Sequence, residues 1–299
     1  MSTERLANET QAQTALNLAK QILKETSDTA TLDAELIMMH TLDCSRLELY
    51  TLGSRQLSRQ QRQQFATGIT ERKAGKPVAY ILGHKDFWKH QFEVNSSVLI
   101  PRPDTELLVE KAIGYLSELK PGDNGPVSIL DVGTGSGCIA ISLALEFPDT
   151  HVDAWDLSRD ALKTATSNQR RLGSKVNFIR KDALSPDSWK GSQDYHLIVS
   201  NPPYIAENES SLMPVDVKDW EPTSALFAPD QGLAFYRTMA ECAPALLQGS
   251  GGCIMMEIGF QQGPAVEAIF KRKLWNNVTT FKDLAGHDRL VVAHRSLKS

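Results

Sequence analysis

Apolar residues in the first part of the chain recur at the spacing of amphipathic helices. One predicted helix buries a stripe formed by Ala15, Leu16, Ala19, Ile22 and Leu23. The next predicted helix repeats the pattern and turns inward Leu32, Leu36 and Met39. Two such helices one after the other predict a helical bundle.

A further helix is predicted to begin at Ser58, a residue type that caps helix N-termini. It carries Phe65, Ala66 and Ile69 inward and ends at Gly75, with Pro77 just beyond. We therefore predict a first domain over residues 1–76, a small helical bundle.

The pattern changes between Pro77 and Pro103. The run 87–94 partly alternates apolar with polar residues, as the strands of a hairpin do, and Pro101 and Pro103 interrupt any regular ladder. Residues 77–103 are predicted to form an extended or hairpin connector.

Short β-branched runs alternate with helical segments in the rest of the chain. They are residues 127–132, 152–156, 176–180, 197–200 and 253–258. This alternation predicts an α/β domain over 104–299 with a mostly parallel sheet. The last two runs, 278–281 and 290–293, are too close for a crossover helix, so the last strand is predicted to be antiparallel.

Composition narrows the class of protein. The 299 residues are 41% hydrophobic and 23% charged, typical of a soluble globular chain, and the net charge of −4 argues against binding nucleic acid mainly through phosphates. The polar N-terminus and the lack of a long apolar run predict a cytoplasmic protein with no membrane segment. Four separated cysteines and scattered histidines predict reduced thiols and no metal site.

A glycine-rich loop follows the first parallel strand. Residues 128–132 run into Gly133, Thr134, Gly135, Ser136 and Gly137, and then into a helical segment. Glycines let a backbone approach a ligand closely, and the helix N-terminus offers free N–H groups, so the loop predicts a nucleotide site. The spacing is neither G-x-G-x-x-G nor that of a P-loop. A tight strand–helix junction without a ligand is the alternative.

Acidic residues end the next two strands. Asp156 is placed to accept hydrogen bonds from both hydroxyls of a ribose, and Asp182 to reach an adenine amino group with Ala183 beside the ring. Solvated strand ends are the alternative for both carboxylates. With the glycine loop upstream, we predict a nucleoside-containing cofactor.

The fourth parallel strand leads into Asn201, Pro202, Pro203 and Tyr204. The prolines stiffen the loop and leave carbonyls without neighbouring donors. The Asn201 side-chain oxygen and the Pro202 carbonyl can accept the two hydrogens of a planar –NH₂ group, while the Tyr204 ring covers it. Asn201 is also expected to touch the cofactor. This loop predicts catalysis and substrate binding by direct in-line transfer, and a structural Pro-Pro turn is the alternative.

The glycine loop and the 201–204 loop together resemble a class I S-adenosylmethionine-dependent methyltransferase that modifies a planar nitrogen. Further segments match a narrower group: 86–88, 98–106, 221–222, 230–233, 257–259 and 286–289. With them the chain closely resembles the bacterial peptide chain release factor glutamine methyltransferases, the HemK or PrmC family. Some members have tryptophan after Asp182, where this chain has Ala183.

The resemblance implies methylation of the side-chain amide of the glutamine in the Gly-Gly-Gln loop of class 1 peptide chain release factors. It also implies that the helical domain helps to hold this partner. Residues 55–89 contain eight Lys/Arg and two Asp/Glu, a local excess of +6 that suits such a role or a solvated surface. We expect a monomer that does not bind nucleic acid directly. An adenine-N6 nucleic-acid methyltransferase and a methyltransferase of another protein glutamine remain alternatives.

Three charged residues have open roles. Arg102 and Asp104 either line the entrance of the cofactor pocket or tie the two domains together. Glu221 either shapes the channel for the methyl acceptor or belongs to a turn.

Overall fold

The computed structural model describes residues 3–119, 126–191, 194–248, 251–271 and 274–296. The chain forms two compact units. The first contains residues 1–84 and a later segment, 214–220, and the second contains 85–213 and 221–299. Within the described residues, no helix is both long enough and apolar enough to cross a bilayer.

The first unit is helical. Its helices are α1 (Thr3–Asn8), α2 (Ala12–Leu23), α3 (Ala30–Leu42), α4 (Arg46–Tyr50), α5 (Arg59–Lys73) and α6 (Val78–Leu82), with a short helix at Val215–Lys218. The predicted N-cap of α5 is confirmed, because the Ser58 hydroxyl accepts from the Gln61 N–H and the Gln61 side chain accepts from the Ser58 N–H. Residues 65, 66 and 69 of α5 are buried as predicted.

The buried face of α2 is confirmed, since all five predicted residues are buried. The predicted face of α3 is wrong. Leu32 is 41% exposed, and Leu36 and Met39 are only half-buried, whereas Asp33 and Ile37 point into the core. The pattern misled because a carboxylate occupies the buried face.

Asp33 is accommodated by an ion pair inside the helical unit. Its Oδ2 lies 2.6 Å from Nε of Arg72 on α5, and both side chains are less than a tenth exposed. The hydroxyls of Ser27 and Thr29 also donate to this carboxylate. Every charge buried on this face of α3 therefore has a partner, and the pair joins α3 to α5.

The stretch 77–103, predicted as an extended or hairpin connector, contains a short helix and a hairpin. Residues 78–82 form α6, and an antiparallel hairpin follows, β1 (His84–Phe87) and β2 (His90–Glu93). The predicted alternating run spans the end of β1, a turn with Trp88 at φ 56°, and β2. The sequence pattern concealed the turn because Trp88 and Phe92 are both apolar.

The second unit is built on a sheet of β3 (Ser128–Val132), β4 (His151–Asp156), β5 (Asn177–Arg180), β6 (Leu197–Ser200), β7 (Cys253–Glu257), β8 (Trp275–Lys282) and β9 (Asp288–Arg295). Its order is β5-β4-β3-β6-β7-β9-β8. The first five strands in this order are parallel, and β9 is antiparallel to both of its neighbours. The predicted fold class, a mostly parallel sheet with the last strand antiparallel, is confirmed.

Helices cover both faces of the sheet. They are α7 (Glu106–Glu118), α8 (Cys138–Glu146), α9 (Arg159–Leu172), α10 (Thr223–Leu226), α11 (Ala234–Cys242) and α12 (Gly263–Phe270). Alternate residues of each strand enter two cores. Ile129 packs with residues of α7 and α8, while its neighbour Leu130 packs with residues of α11 and α12. Strands buried on both faces leave only their ends for chemistry.

We predict that Asp33→Ala lowers the free energy of unfolding of the helical unit by about 3 kcal/mol, because it removes the closer and more deeply buried of the two carboxylates that pair with the buried Arg72 guanidinium, Asp33 and Asp216. Hydrogen–deuterium exchange of the α3 and α5 amides measures this loss locally. Glu71→Ala, which breaks a more exposed pair with Lys76, is the control and should cause no comparable loss. Equal protection in both variants would contradict a stabilising role for the buried pair.

Candidate active site

A cavity of about 450 Å³ opens at the carboxyl ends of the parallel strands. This is the edge at which open α/β sheets bind ligands. Its wall comes from several loops, which contribute residues 97–99, 101–102, 133–136, 155–158, 181–184, 201 and 203. Thr105, Cys138 and the segment that contains Ser224, Phe227 and Phe235 complete it. The second unit therefore supplies every residue of the cavity wall.

The glycine loop lies on this wall with an unusual backbone. Gly133, Gly135 and Gly137 have φ values of +76°, +55° and +82°, a region that other residues avoid. A Cβ built on Gly133 or Gly135 would meet nothing within 4 Å, whereas one on Gly137 would lie 2.9 Å from Ile141. Gly137 is absent from the cavity wall. The first two glycines thus leave space for a ligand, and the third allows close packing.

Asp156 fixes the glycine loop. Its Oδ2 accepts the Gly135 N–H at 2.9 Å and its Oδ1 accepts the Ser158 N–H at 2.8 Å. Burial raises the pKa of Asp156, and these backbone hydrogen bonds oppose the rise. Carboxylate oxygens can each accept a further hydrogen bond, so Asp156 can still serve the ribose hydroxyls predicted for it.

Asp182 and Ala183 also line the cavity, as predicted from their place after β5. Asp182 is exposed, and its Oδ1 accepts the N–H of Leu184 at 2.9 Å. Sequence reasoning missed two neighbours: the Lys181 ammonium lies 4.0 Å from the ring centroid of Trp155, and both line the cavity. Only the tertiary fold could reveal this cation–π contact.

The loop after β6 reaches the cavity in part. Asn201 and Pro203 line it, but Pro202 is buried and Tyr204 is absent from the wall. Tyr204 instead packs against the core, and its carbonyl accepts a hydrogen bond from Gln262 Nε2 at 2.9 Å. The side chain of Tyr204 therefore does not cover the cavity as predicted.

The open roles of Arg102 and Glu221 can now be described. Arg102 lines the cavity, and its Nη2 lies 2.5 Å from Oε1 of Glu221, whose side chain is 1% exposed. The second oxygen of Glu221 accepts the Ile100 N–H at 3.1 Å. Asp104 pairs with Arg289 at 3.1 Å. These ion pairs all lie within the second unit, so they do not tie the two units together.

Comparison with known proteins identifies the family. The chain is 38% identical to the release factor glutamine methyltransferase of Koribacter versatilis over 273 residues, which cover 91% of this chain and 94% of the relative. It is 43% identical to the same enzyme of Chlorobaculum tepidum, over 77% and 79% of the two chains. The chain belongs to the release factor glutamine methyltransferase family. The resemblance inferred from the sequence is confirmed, and the protein is an enzyme.

Two family models agree with this membership. The model of the PrmC N-terminal domain matches residues 14–83 of this methyltransferase, and that of the methyltransferase small domain matches 115–216. Among solved structures, the release factor-specific protein-(glutamine-N5) methyltransferase of Alicyclobacillus acidocaldarius is 34% identical. It matches 69% of this chain and 99% of its own, with a TM-score of 0.41. In the part of the methyltransferase that the structure describes, no group of three or more His, Cys, Asp or Glu side chains is arranged to hold a metal ion.

Gly137→Ala and Gly133→Ala should have different consequences. Both force a residue with a Cβ into a positive φ, which costs roughly 1–2 kcal/mol, but only Gly137→Ala also forces a close contact with Ile141. We expect Gly137→Ala to lower the thermal unfolding temperature of the methyltransferase further than Gly133→Ala does. The main effect of Gly133→Ala should be weaker binding of the cofactor. Equal melting temperatures would contradict the packing role of Gly137.

Proposed function

We propose that this enzyme transfers a methyl group from S-adenosylmethionine to the side-chain amide nitrogen of the glutamine in the Gly-Gly-Gln loop of class 1 peptide chain release factors. The observation that carries the proposal is the position of Asn201. Asn201 lies on the wall of the cavity that also contains the glycine loop, in a chain whose relatives are named release factor glutamine methyltransferases.

The cavity suits the proposed cofactor. Its volume of about 450 Å³ is within the usual range for small-molecule sites. Gly133 and Gly135 leave their Cβ positions open. Thr134 and Ser136 lie on the same wall.

S-adenosylmethionine, when bound, supplies a methyl group on a positively charged sulfur. The carboxylate of Asp156 would hold the ribose, Asp182 would accept from the adenine amino group, and Ala183 would lie against the ring. The backbone of residues 133–136 and the Asn201 side chain would complete the cofactor site. With these roles, the methyl group would lie near the loop after β6.

Asn201 and Pro202 would orient the acceptor. No described residue donates a hydrogen bond to the Asn201 Oδ1 or to the Pro202 carbonyl, so both oxygens can accept from the amide –NH₂ group of the substrate. Two acceptors localise the nitrogen lone pair and stabilise the positive charge that develops on nitrogen. The substrate nitrogen would form the new N–C bond as the S–CH₃ bond of the cofactor breaks. The sulfur would leave as the neutral thioether of S-adenosylhomocysteine, and the nitrogen would release one proton to water. Pro203 and Tyr204 would support this loop rather than touch the reacting atoms.

Direct transfer agrees with the other groups on the wall. Among the described residues, no histidine lines the cavity. Burial raises the pKa of the Cys138 thiol to about 12, so the thiol stays protonated and is a poor nucleophile near neutral pH. Alignment of the acceptor with the methyl group, which can lower a barrier by roughly 7–11 kcal/mol, is therefore the main source of catalysis that we propose.

Substrate identity is tested by methyl transfer from labelled S-adenosylmethionine. We expect label on a class 1 release factor and none on the same factor with its loop glutamine replaced by alanine. The helical unit, whose residues 55–84 carry six Lys/Arg and one Asp/Glu, an excess of +5, would help to hold this partner. Label on DNA or on another protein, but none on the release factor, would overturn the proposal.

Asn201→Ala should lower kcat by about 100- to 1,000-fold, the usual cost of removing one preorganised hydrogen-bonding group from a transition state. The dissociation constant of the cofactor, measured by calorimetry, should rise much less, because Asn201 is only one of its contacts. Equal losses in kcat and in cofactor affinity would mean that Asn201 is chiefly a cofactor ligand.

Asp156→Ala should have the opposite effect. We expect cofactor affinity to fall about 10- to 100-fold, as for the loss of hydrogen bonds to a charged group, with a smaller change in kcat at saturating cofactor. Asp160→Ala on α9, which removes an exposed carboxylate paired with Lys163, is the matched control and should bind the cofactor normally. Unchanged affinity in Asp156→Ala would exclude the ribose role.

A further inference from the structure

Asn201 is the first member of a buried chain of hydrogen bonds. Its Nδ2 donates to Thr105 Oγ1 at 3.1 Å, and the Thr105 hydroxyl donates to Glu257 Oε2 at 2.6 Å. Thr105 and Glu257 are each only 2% exposed. Thr105 ends a short 3₁₀ helix, Pro103–Thr105, and Glu257 is the last residue of β7, so the three residues come from distant parts of the sequence.

The number of hydrogens that these three side chains can donate to one another decides which way the Asn201 amide faces. A threonine hydroxyl has one proton to donate. When Glu257 is ionised, its carboxylate can only accept, so it takes that proton. Thr105 can then only accept from Asn201, and the atom of Asn201 beside it must be the –NH₂ group. Oδ1 is therefore left for the cavity.

We propose that Thr105 and Glu257 are positioning residues that hold the Asn201 amide with its oxygen towards the methyl-accepting nitrogen. The inference rests on the proposed function, since it gives Asn201 Oδ1 the task of accepting from the substrate amide. A reversed Asn201 would present –NH₂ to –NH₂, two donors with no acceptor, and would not orient the substrate.

The protonation of Glu257 controls this arrangement. Protonated Glu257 can donate to Thr105, which frees the threonine hydroxyl to donate to Asn201 and allows the amide to reverse. Burial raises the pKa of Glu257 to about 7, while its hydrogen bond from Thr105 opposes the rise. The charged and titratable groups around it are Arg102, Arg289, Asp104, Tyr204, Tyr236 and Cys138.

The two arginines in that set favour ionised Glu257, and Asp104 opposes it. Each arginine already pairs with another carboxylate, Arg102 with Glu221 and Arg289 with Asp283 and Asp104. The arginines therefore stabilise the ionised form of Glu257 only in part. We expect its protonation to change within the pH range used in activity assays. Activity should rise with pH as Glu257 loses its proton.

Variants at position 105 test the proposed positioning of Asn201, in assays with the full-length enzyme and a release factor substrate. Thr105→Val removes the hydroxyl, and we expect kcat to fall about tenfold or more, with cofactor affinity within threefold of the wild type. Thr105→Ser keeps the hydroxyl and should retain most of the activity. Thr238→Val, which removes a hydroxyl bonded to the Ala234 carbonyl in α11, is the control and should not change kcat.

Glu257→Gln supplies a readout that a purely structural role would not change. A glutamine can either accept from Thr105 or donate to it, so the orientation of Asn201 loses its dependence on pH. We expect wild-type kcat to rise about tenfold between pH 6 and pH 8, and the Glu257→Gln variant to have a lower kcat and a flat profile. Glu267→Gln, a half-buried carboxylate on α12, should keep the wild-type profile.

The outcomes separate this inference from the proposed function. No label on the release factor with the wild-type enzyme would overturn the proposed function. Normal labelling together with a Thr105→Val kcat within twofold of the wild type, or a Glu257→Gln profile equal to that of the wild type, would overturn the positioning role alone. Thermal unfolding of each variant identifies misfolding, and Thr105→Ser and Glu257→Gln decide the question if Thr105→Val does not fold.

Discussion

The site depends on one contact at the sheet edge, the acceptance of the Gly135 N–H by the Asp156 carboxylate. Parallel pairing sets Val132 at the end of β3 opposite Trp155 near the end of β4. The Trp155 carbonyl accepts the N–H groups of Gly133 and Thr134, and Asp156, one residue later, holds Gly135. The loop is thus fixed by the adjacent strand before any ligand arrives. Its unusual backbone is maintained by hydrogen bonds that do not involve the ligand.

The same edge explains why Asn201 and Glu257 are neighbours. Register pairs Ser200 with Met256 in the parallel strands β6 and β7. The next residues, Asn201 just after β6 and Glu257 at the end of β7, are therefore neighbours at the sheet edge. Thr105, the residue just before α7, is hydrogen-bonded to both of them. Strand pairing therefore brings the Glu257 carboxylate at the end of β7 close to the Asn201 side-chain amide after β6, and the Thr105 hydroxyl lies between them.

Local patterns predicted much of this protein. Strand positions, the glycine loop, the antiparallel last strand and the capped start of α5 each depend on residues that are close in sequence. Long-range partners could not be predicted in this way. Asp33 faces inward because Arg72, 39 residues later, meets it, and Glu221 pairs with Arg102, 119 residues earlier. Thr105 and Glu257 are 152 residues apart, and neither has a local pattern that indicates its partner. The loop sequence alone predicts that the Tyr204 ring covers the acceptor group, whereas in the structure the Tyr204 side chain packs against the core.

Buried carboxylates at this edge destabilise the folded protein, so we infer that they have a role other than stability. Moving an ionised carboxylate out of water costs several kcal/mol, and well-packed apolar residues often replace buried ion pairs with no loss of stability. The raised pKa of Glu257 means that its ionised form is disfavoured in the folded chain, so it reduces stability at pH values above its unfolded pKa. An apolar residue at position 257 would remove that cost. It would also leave the Thr105 hydroxyl free to donate to Asn201. The Asn201 amide would then lose the group that, in our proposal, keeps its oxygen turned towards the substrate.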